Sequence, residues 1–166
     1  MTLTEYHDYF EGCARRHSLL RHGAGGRLAF VRGEVEEFFQ RFRSEVSFPC
    51  LILESSECAY PNSEPALTLR HRTGAFIIAD TYGLQKDYDD MQLAMQRCER
   101  IAEDIIGRML NDSATDLDPQ AVPPFTSVGN ITMQYLQNQP MKYVGARVEL
   151  TVTSRACLWV QSQWIV

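Results

Sequence analysis

The sequence predicts an α+β protein: a mostly antiparallel sheet covered by one long amphipathic helix, with two additional helices near the N-terminus. Three observations predict this. Between residues 87 and 111, Tyr88, Met91, Met95, Cys98, Ala102, Ile105 and Met109 recur every three or four residues, the period of a helix face. Near the C-terminus, Val144, Ala146, Val148, Leu150 and Val152 alternate with Arg147, Glu149, Thr151 and Thr153, the period of a strand with one buried face. Two shorter stripes of helical period occupy the first 46 residues.

The first helix is expected over residues 2–20, with Tyr6, Tyr9, Phe10, Cys13, His17 and Leu20 on one face. Thr2 and Glu5 read as a capping box, and the glycines of residues 23–26 as the stop. A short strand follows at 28–32. Residues 34–45 read as a second helix with Val35, Phe38, Phe39, Phe42 and Val46 on its face. An apolar run at 48–54 has strand length, and Pro49 suits its start. Residues 55–65 read as a polar loop. Residues 66–72 and 75–82 read as two strands joined by a turn at Thr73-Gly74.

Asp87 is placed as the N-cap of the long helix. Ile101, Ile106 and Leu110 broaden its stripe, while Arg97, Glu99, Arg100, Glu103 and Arg108 lie off it. The stripe also fits a heptad seam, but three heptads are at the short limit, so packing on a sheet is expected. A loop rich in Asp and Pro follows at 112–124. Residues 125–136 read as a strand with a bulge or turn at Gly129-Asn130, and 138–140 as a turn. A last strand is expected at 157–166. Its alternation places Trp164 in the core and Trp159 near an interface.

The chain has 166 residues, enough for a single domain over 1–166 with a real core and no need of disulfides or metal. It is 45% hydrophobic and 22% charged, as ordinary globular proteins are. The N-terminus has no basic stretch followed by an apolar one, and no run reaches the length of a membrane span. The five cysteines, Cys13, Cys50, Cys58, Cys98 and Cys157, are odd in number and show no CxxC spacing. They read as free thiols, mostly buried, in a reducing compartment, so a cytoplasmic location is expected. Cys58 is the one expected to be exposed.

No residue pattern points to catalysis, a cofactor or a metal. The histidines His7, His17, His22 and His71 form no HxxxH or HExxH. There is no GxSxG, no P-loop and no GxGxxG. Asp87, Asp89 and Asp90 suit a helix N-terminus, and Asp112, Asp116 and Asp118 lack the glycine and glutamate of an EF-hand.

Charge is the one unusual feature. The net charge is −5, and a uniformly acidic surface repels nucleic acid and anionic membranes. Yet five of the 16 lysines and arginines (Arg15, Arg16, Arg21, Arg27 and Arg32) fall between residues 15 and 32 with no acid among them, leaving 11 basic against 21 acidic residues elsewhere. A solvated helix end explains such a run. So does a contact surface, since head-to-tail assembly needs two complementary faces on one molecule.

The order of elements resembles the tail-terminator and tail-completion proteins of tailed bacteriophages. The residues that carry the likeness are the run Phe-Pro-Cys-Leu-Ile-Leu-Glu at 48–54, the strand at 75–82, the helix at 87–110 and the closing strand with Tyr143, Gly145, Val148, Leu150 and Val152. The helix at 34–45 departs from that family. The resemblance implies a non-catalytic protein that forms rings by self-association, with other tail or injection-machine proteins as partners, encoded by a phage or prophage and assembled in a virion. Two other readings stay open. One is a ligand-binding or enzymatic domain using Tyr82, His71 and Asp80; the other is nucleic-acid binding through residues 15–32.

Overall fold

A computed structural model of the chain describes residues 1–34, 45–61, 68–83, 88–114, 125–138 and 142–156. Among these residues, two helices, α1 (Leu3–Arg16) and α2 (Tyr88–Ala114), accompany five strands: β1 (Phe30–Arg32), β2 (Cys50–Ala59), β3 (Leu69–Thr81), β4 (Ser127–Asn138) and β5 (Tyr143–Arg155). The strands form one sheet in the order β1-β2-β3-β5-β4. The sheet is mixed rather than antiparallel throughout, because β1 pairs with β2 in parallel. The other three pairings are antiparallel. Of the expected N-terminal helices α1 is present; the second falls on residues 35–44, outside the described residues, as do Asp87 and the segment 157–166 with Cys157, Trp159 and Trp164.

The capping box forms as expected: Glu5 N–H donates to Thr2 Oγ1 at 3.2 Å and Thr2 N–H to Glu5 Oε2 at 2.6 Å. The helix stops at Arg16, earlier than the stripe suggests. His17 turns extended, and its ring accepts the Leu19 N–H at 3.2 Å, which bends the chain so that Leu20 reaches the core by another path. The glycines therefore do not end α1. Gly23, Gly25 and Gly26 take positive φ in a separate 3-10 turn.

Residues 55–59, expected as loop, continue β2 instead, because the backbone of 56–59 pairs with β3 while the side chains of Ser55, Glu57, Cys58 and Ala59 are exposed. There is likewise no turn at Thr73-Gly74. β3 runs unbroken for 13 residues, and Gly74 marks a close approach: a Cβ there would lie 2.7 Å from the Tyr6 hydroxyl and 2.9 Å from Ser56 Cβ. The expected bulge at Gly129-Asn130 is present, with a register shift between Gly129 and Thr132 and φ of 52° at Asn130.

Register decides the faces. Phe76 pairs with Val148 and Ile78 with Ala146, so these four share one face of the sheet with Leu150 and Val152. Both helices pack on that face. From α1, the Phe10 ring lies 5.3 Å from Phe76; from α2, Ala94, Cys98, Ile101, Ala102, Ile105 and Met109 are buried. The long helix thus shares its cover with α1 and packs on a sheet, not in a coiled coil. The helices are joined by Tyr9 donating to Asp112 at 2.9 Å and by His17 against Asp104 at 3.2 Å. On the opposite face, Cys50, Ile52, Ala75, Ile77 and Ala79 are also buried, and Arg147 bridges to Glu54 at 2.8 Å. Among the described residues no helix is long and apolar enough to cross a membrane.

Candidate functional site

Among the described residues, the outer edge of β4 lacks a strand partner. One side of this strand pairs with β5; on its other side no described strand pairs with it. An edge of this kind presents unpaired N–H and C=O groups, and soluble proteins usually blunt it with charge, proline, a bulge or short length. The opposite edge follows that practice, for β1 is three residues long and ends in exposed Arg32. β4 does not. It has 12 residues, and although 22% of the chain is charged, none of Ser127–Asn138 is charged or a proline. Its one irregularity is the bulge at Asn130; from Thr132 to Asn138 its register is continuous.

Side chains along this edge divide by face. Thr132 and Gln134 point away from the helices and are exposed; Met133, Tyr135 and Gln137 lie on the helix side. Tyr135 is 56% exposed, an unusual position for a large ring in the middle of a strand. Its hydroxyl donates to Glu99 of α2 at 2.5 Å, and this hydrogen bond raises the phenol's pKa. Gln137 Nε2 meets Met91 Sδ at 3.0 Å. These contacts identify the flank of α2 that borders β4. Helical spacing puts Tyr88, Gln92, Met95, Glu99, Glu103, Ile106 and Leu110 in that row. Tyr88 (67% exposed) and Leu110 (44%) were expected in the stripe; they stand in solvent instead. Among the described residues, the outer side of β4 is therefore an unpaired strand edge that carries the exposed Tyr135 ring.

The arginines expected as an interface are scattered. Arg15 pairs with Glu11, with Nε at 3.1 Å from Oε1. Arg16 donates to the Gly12 carbonyl at 3.1 Å and Arg21 to the Ser18 carbonyl at 2.8 Å, both capping local backbone. Arg32 donates to His7 Nδ1 at 3.1 Å, and burial together with Arg32 lowers the His7 pKa. Arg27 turns inward and donates to the Phe48 carbonyl at 2.7 Å. Arg21 and Arg27 thus do not share an exposed face, which nucleic-acid binding through this run requires. Trp159 lies outside the described residues.

The residues considered for a ligand site are also apart. His71 and Asp80 stand on one strand nine positions from each other, roughly 30 Å at strand rise, and on opposite faces. Asp80 is buried and committed to Arg97, whose Nε lies at 2.9 Å. A groove of about 220 Å³ opens beside the end of α1, lined by Cys13, Arg16, His17, Asp104, Ile105 and Arg108. Burial pushes the Cys13 thiol up to about 11, so it is protonated at neutral pH and a poor nucleophile. Arg108 is held by Asp112 at 2.8 Å. Among the described residues no cluster of His, Cys, Asp and Glu has the arrangement of a metal site. Cys58 is exposed and Cys13, Cys50 and Cys98 are buried, as expected.

The sequence signal for the β4 site was legible in part: a strand without charge. Its edge position was not, because that depends on β5 pairing between β3 and β4. No protein-family model matches the chain, and no curated protein matches it.

Proposed function

We propose that the chain is a structural protein that works by self-association, of the kind represented by the tail-terminator and tail-completion proteins it resembles. One observation supports this reading: among the described residues no strand pairs with the outer side of a 12-residue uncharged strand, which carries the exposed Tyr135 ring. A monomer left that way is prone to pair with other chains, so natural proteins retain such an edge where pairing is its use. The resemblance adds the class of assembly, a ring in a phage or prophage tail, with further tail proteins as partners.

Sedimentation velocity across a wide range of protein concentration tests the reading. It predicts a concentration-dependent oligomer. A monomer throughout the range contradicts it.

A further inference from the structure

We infer that residues 17–32, from the end of α1 through the 3-10 turn and β1, form a proton-sensitive latch, held to the fold by neutral histidine rings and released on mild acidification. The inference is independent of self-association.

Three of the four histidines tie this segment down, and all three use the same ring nitrogen in the same sense. His17 Nδ1 accepts the Leu19 N–H at 3.2 Å. His22 Nδ1 accepts the Ala29 N–H at 3.3 Å. His7 of α1 offers Nδ1 to the Arg32 guanidinium at 3.1 Å. A backbone N–H and a guanidinium can only donate, so each Nδ1 must carry a lone pair. The proton of the neutral ring then sits on Nε2. In His17 and His22 that nitrogen faces a carboxylate, Asp104 of α2 at 3.2 Å and Glu11 of α1 at 3.7 Å. The two side chains are 12% and 14% exposed, so water does not readily take over either bond.

A proton added to Nδ1 sets donor against donor. The bond to the backbone is lost, while the pair between ring and carboxylate becomes a charged one. A charged ring therefore stays with Asp104 or Glu11 and gives up Leu19 or Ala29. Ala29 matters most. It is fully buried and stands directly before β1, so its N–H is costly to leave unpaired and the chain must shift to satisfy it. β1 pairs with β2 over three residues, the shortest pairing of the sheet, and lies at its edge. Short edge elements are the ones that open locally while the rest stays folded.

The charges around the rings fit this behaviour. Among the described residues, Arg16 and Arg108 line the groove beside His17 and Asp104. Glu11, which faces His22, is also held by Arg15. Around His7 stand Arg32, Arg72 of β3 and Asp8, and there the cations prevail: burial, Arg32 and Arg72 together lower its pKa from 6.5. The stability His7 contributes is thus present above pH 6.5 and is lost as pH falls below it.

The experiment is a nuclear magnetic resonance titration of the full chain from about pH 8 to about pH 5.5, across the ordinary range of imidazole. It reads ring and backbone amide signals together, with amide exchange at both ends corrected for the intrinsic rate. The latch predicts that the Leu19 and Ala29 amides move with the same midpoints as the His17 and His22 rings. It also predicts that the Leu51 N–H, which donates to the Ala29 carbonyl at 2.9 Å, exchanges at least tenfold faster at the acid end, while Ile77 and Val148 at the centre of the sheet stay protected. His22→Gln, whose amide oxygen accepts without titrating, should hold the Ala29 signal in place and keep Leu51 protected throughout. The parent titration decides the matter even if that variant does not fold. Rings that titrate while the Leu19 and Ala29 amides stay still overturn the latch, as do rings that stay neutral to the acid end. Loss of protection at Ile77 and Val148 together with Leu51 overturns it as well, because the response is then global unfolding.

Discussion

Tyr135 of β4 donates its hydroxyl to Glu99 of α2 at 2.5 Å, so the edge strand and the neighbouring helix flank are fastened to each other at the rim of the sheet. The ring is held in solvent rather than folded over the core. Two substitutions separate the ring from the bond. Tyr135→Phe keeps the apolar surface and is expected to change the association constant by less than about threefold. Tyr135→Ser removes it and is expected to weaken association by about tenfold or more, the size of a hot-spot contact. Both should melt close to the parent chain. Sedimentation equilibrium and calorimetry measure the two effects; unfolding by Tyr135→Ser would place this ring in the core instead of the interface.

Gly74 and Tyr6 make a second pair. The Tyr6 hydroxyl is buried with no hydrogen-bond partner among the described residues, and it occupies the space a Gly74 side chain would need. Gly74→Ala is expected to cost about 1–3 kcal/mol through overpacking. Tyr6→Phe should be neutral or slightly stabilising, because it removes an unsatisfied buried hydroxyl. It should also recover part of the Gly74→Ala loss. Denaturant titration of the two single variants and the double variant tests this, and additive effects would contradict it.

How far these features are legible in the sequence depends on which are local. The α2 stripe and the β5 alternation are local patterns, and both appear where the residues place them. A glycine inside a strand has two meanings, turn or close approach. Only the arrival of Tyr6 from α1 selects the second for Gly74. The polar segment at 55–59 reads as loop because side chains suggest solvent, but its strand character comes from backbone pairing with β3. Tyr88 fits the helical stripe by spacing and is still exposed. Arg27 looks like part of a basic surface, yet its guanidinium is turned to the Phe48 carbonyl, a contact 21 residues distant in sequence.

Arg97 and Asp80 join α2 to the centre of the sheet. The Asp80 carboxylate is buried; its Oδ2 accepts from Arg97 and its Oδ1 from the Thr81 N–H at 2.8 Å. Arg97→Ala leaves that charge without its partner and is expected to cost about 2 kcal/mol, less than a fully buried pair because Arg97 is half exposed. Asp80→Asn in the Arg97→Ala background should recover part of this, since a neutral amide is less costly to bury. Chemical denaturation of the single and double variants checks the order.

The buried thiols set an alkaline limit. Burial pushes Cys13 up to about 11 and Cys98 up to about 12, and raises Cys50 as well. In the unfolded chain thiols ionise near their ordinary value of 9.0. The folded state therefore holds protons that the unfolded state releases. This contribution is complete below pH 9.0 and is lost as pH rises through 11 and 12. The thiol contribution should be constant near neutrality and then fall by a few kcal/mol, roughly 1.4 kcal/mol for every tenfold difference in acidity between the folded and unfolded thiol. At neutral pH a thiol reagent should modify Cys58 quickly and reach Cys13, Cys50 and Cys98 only on unfolding. Rapid modification of those three in the native protein would contradict their burial.

Self-association through an uncharged edge is the central claim, and its dependence on salt tests it most directly. Sedimentation velocity at about 50 mM and about 500 mM salt changes the screening length several-fold while leaving β4 untouched. A contact made by backbone and neutral side chains, between copies that each carry a net charge of −5, should strengthen or hold as salt rises. A head-to-tail contact built on Arg15, Arg16, Arg21 and Arg32 should weaken. An oligomer that persists at high salt is the predicted result; one that dissociates there, or a monomer at both salts, contradicts the account.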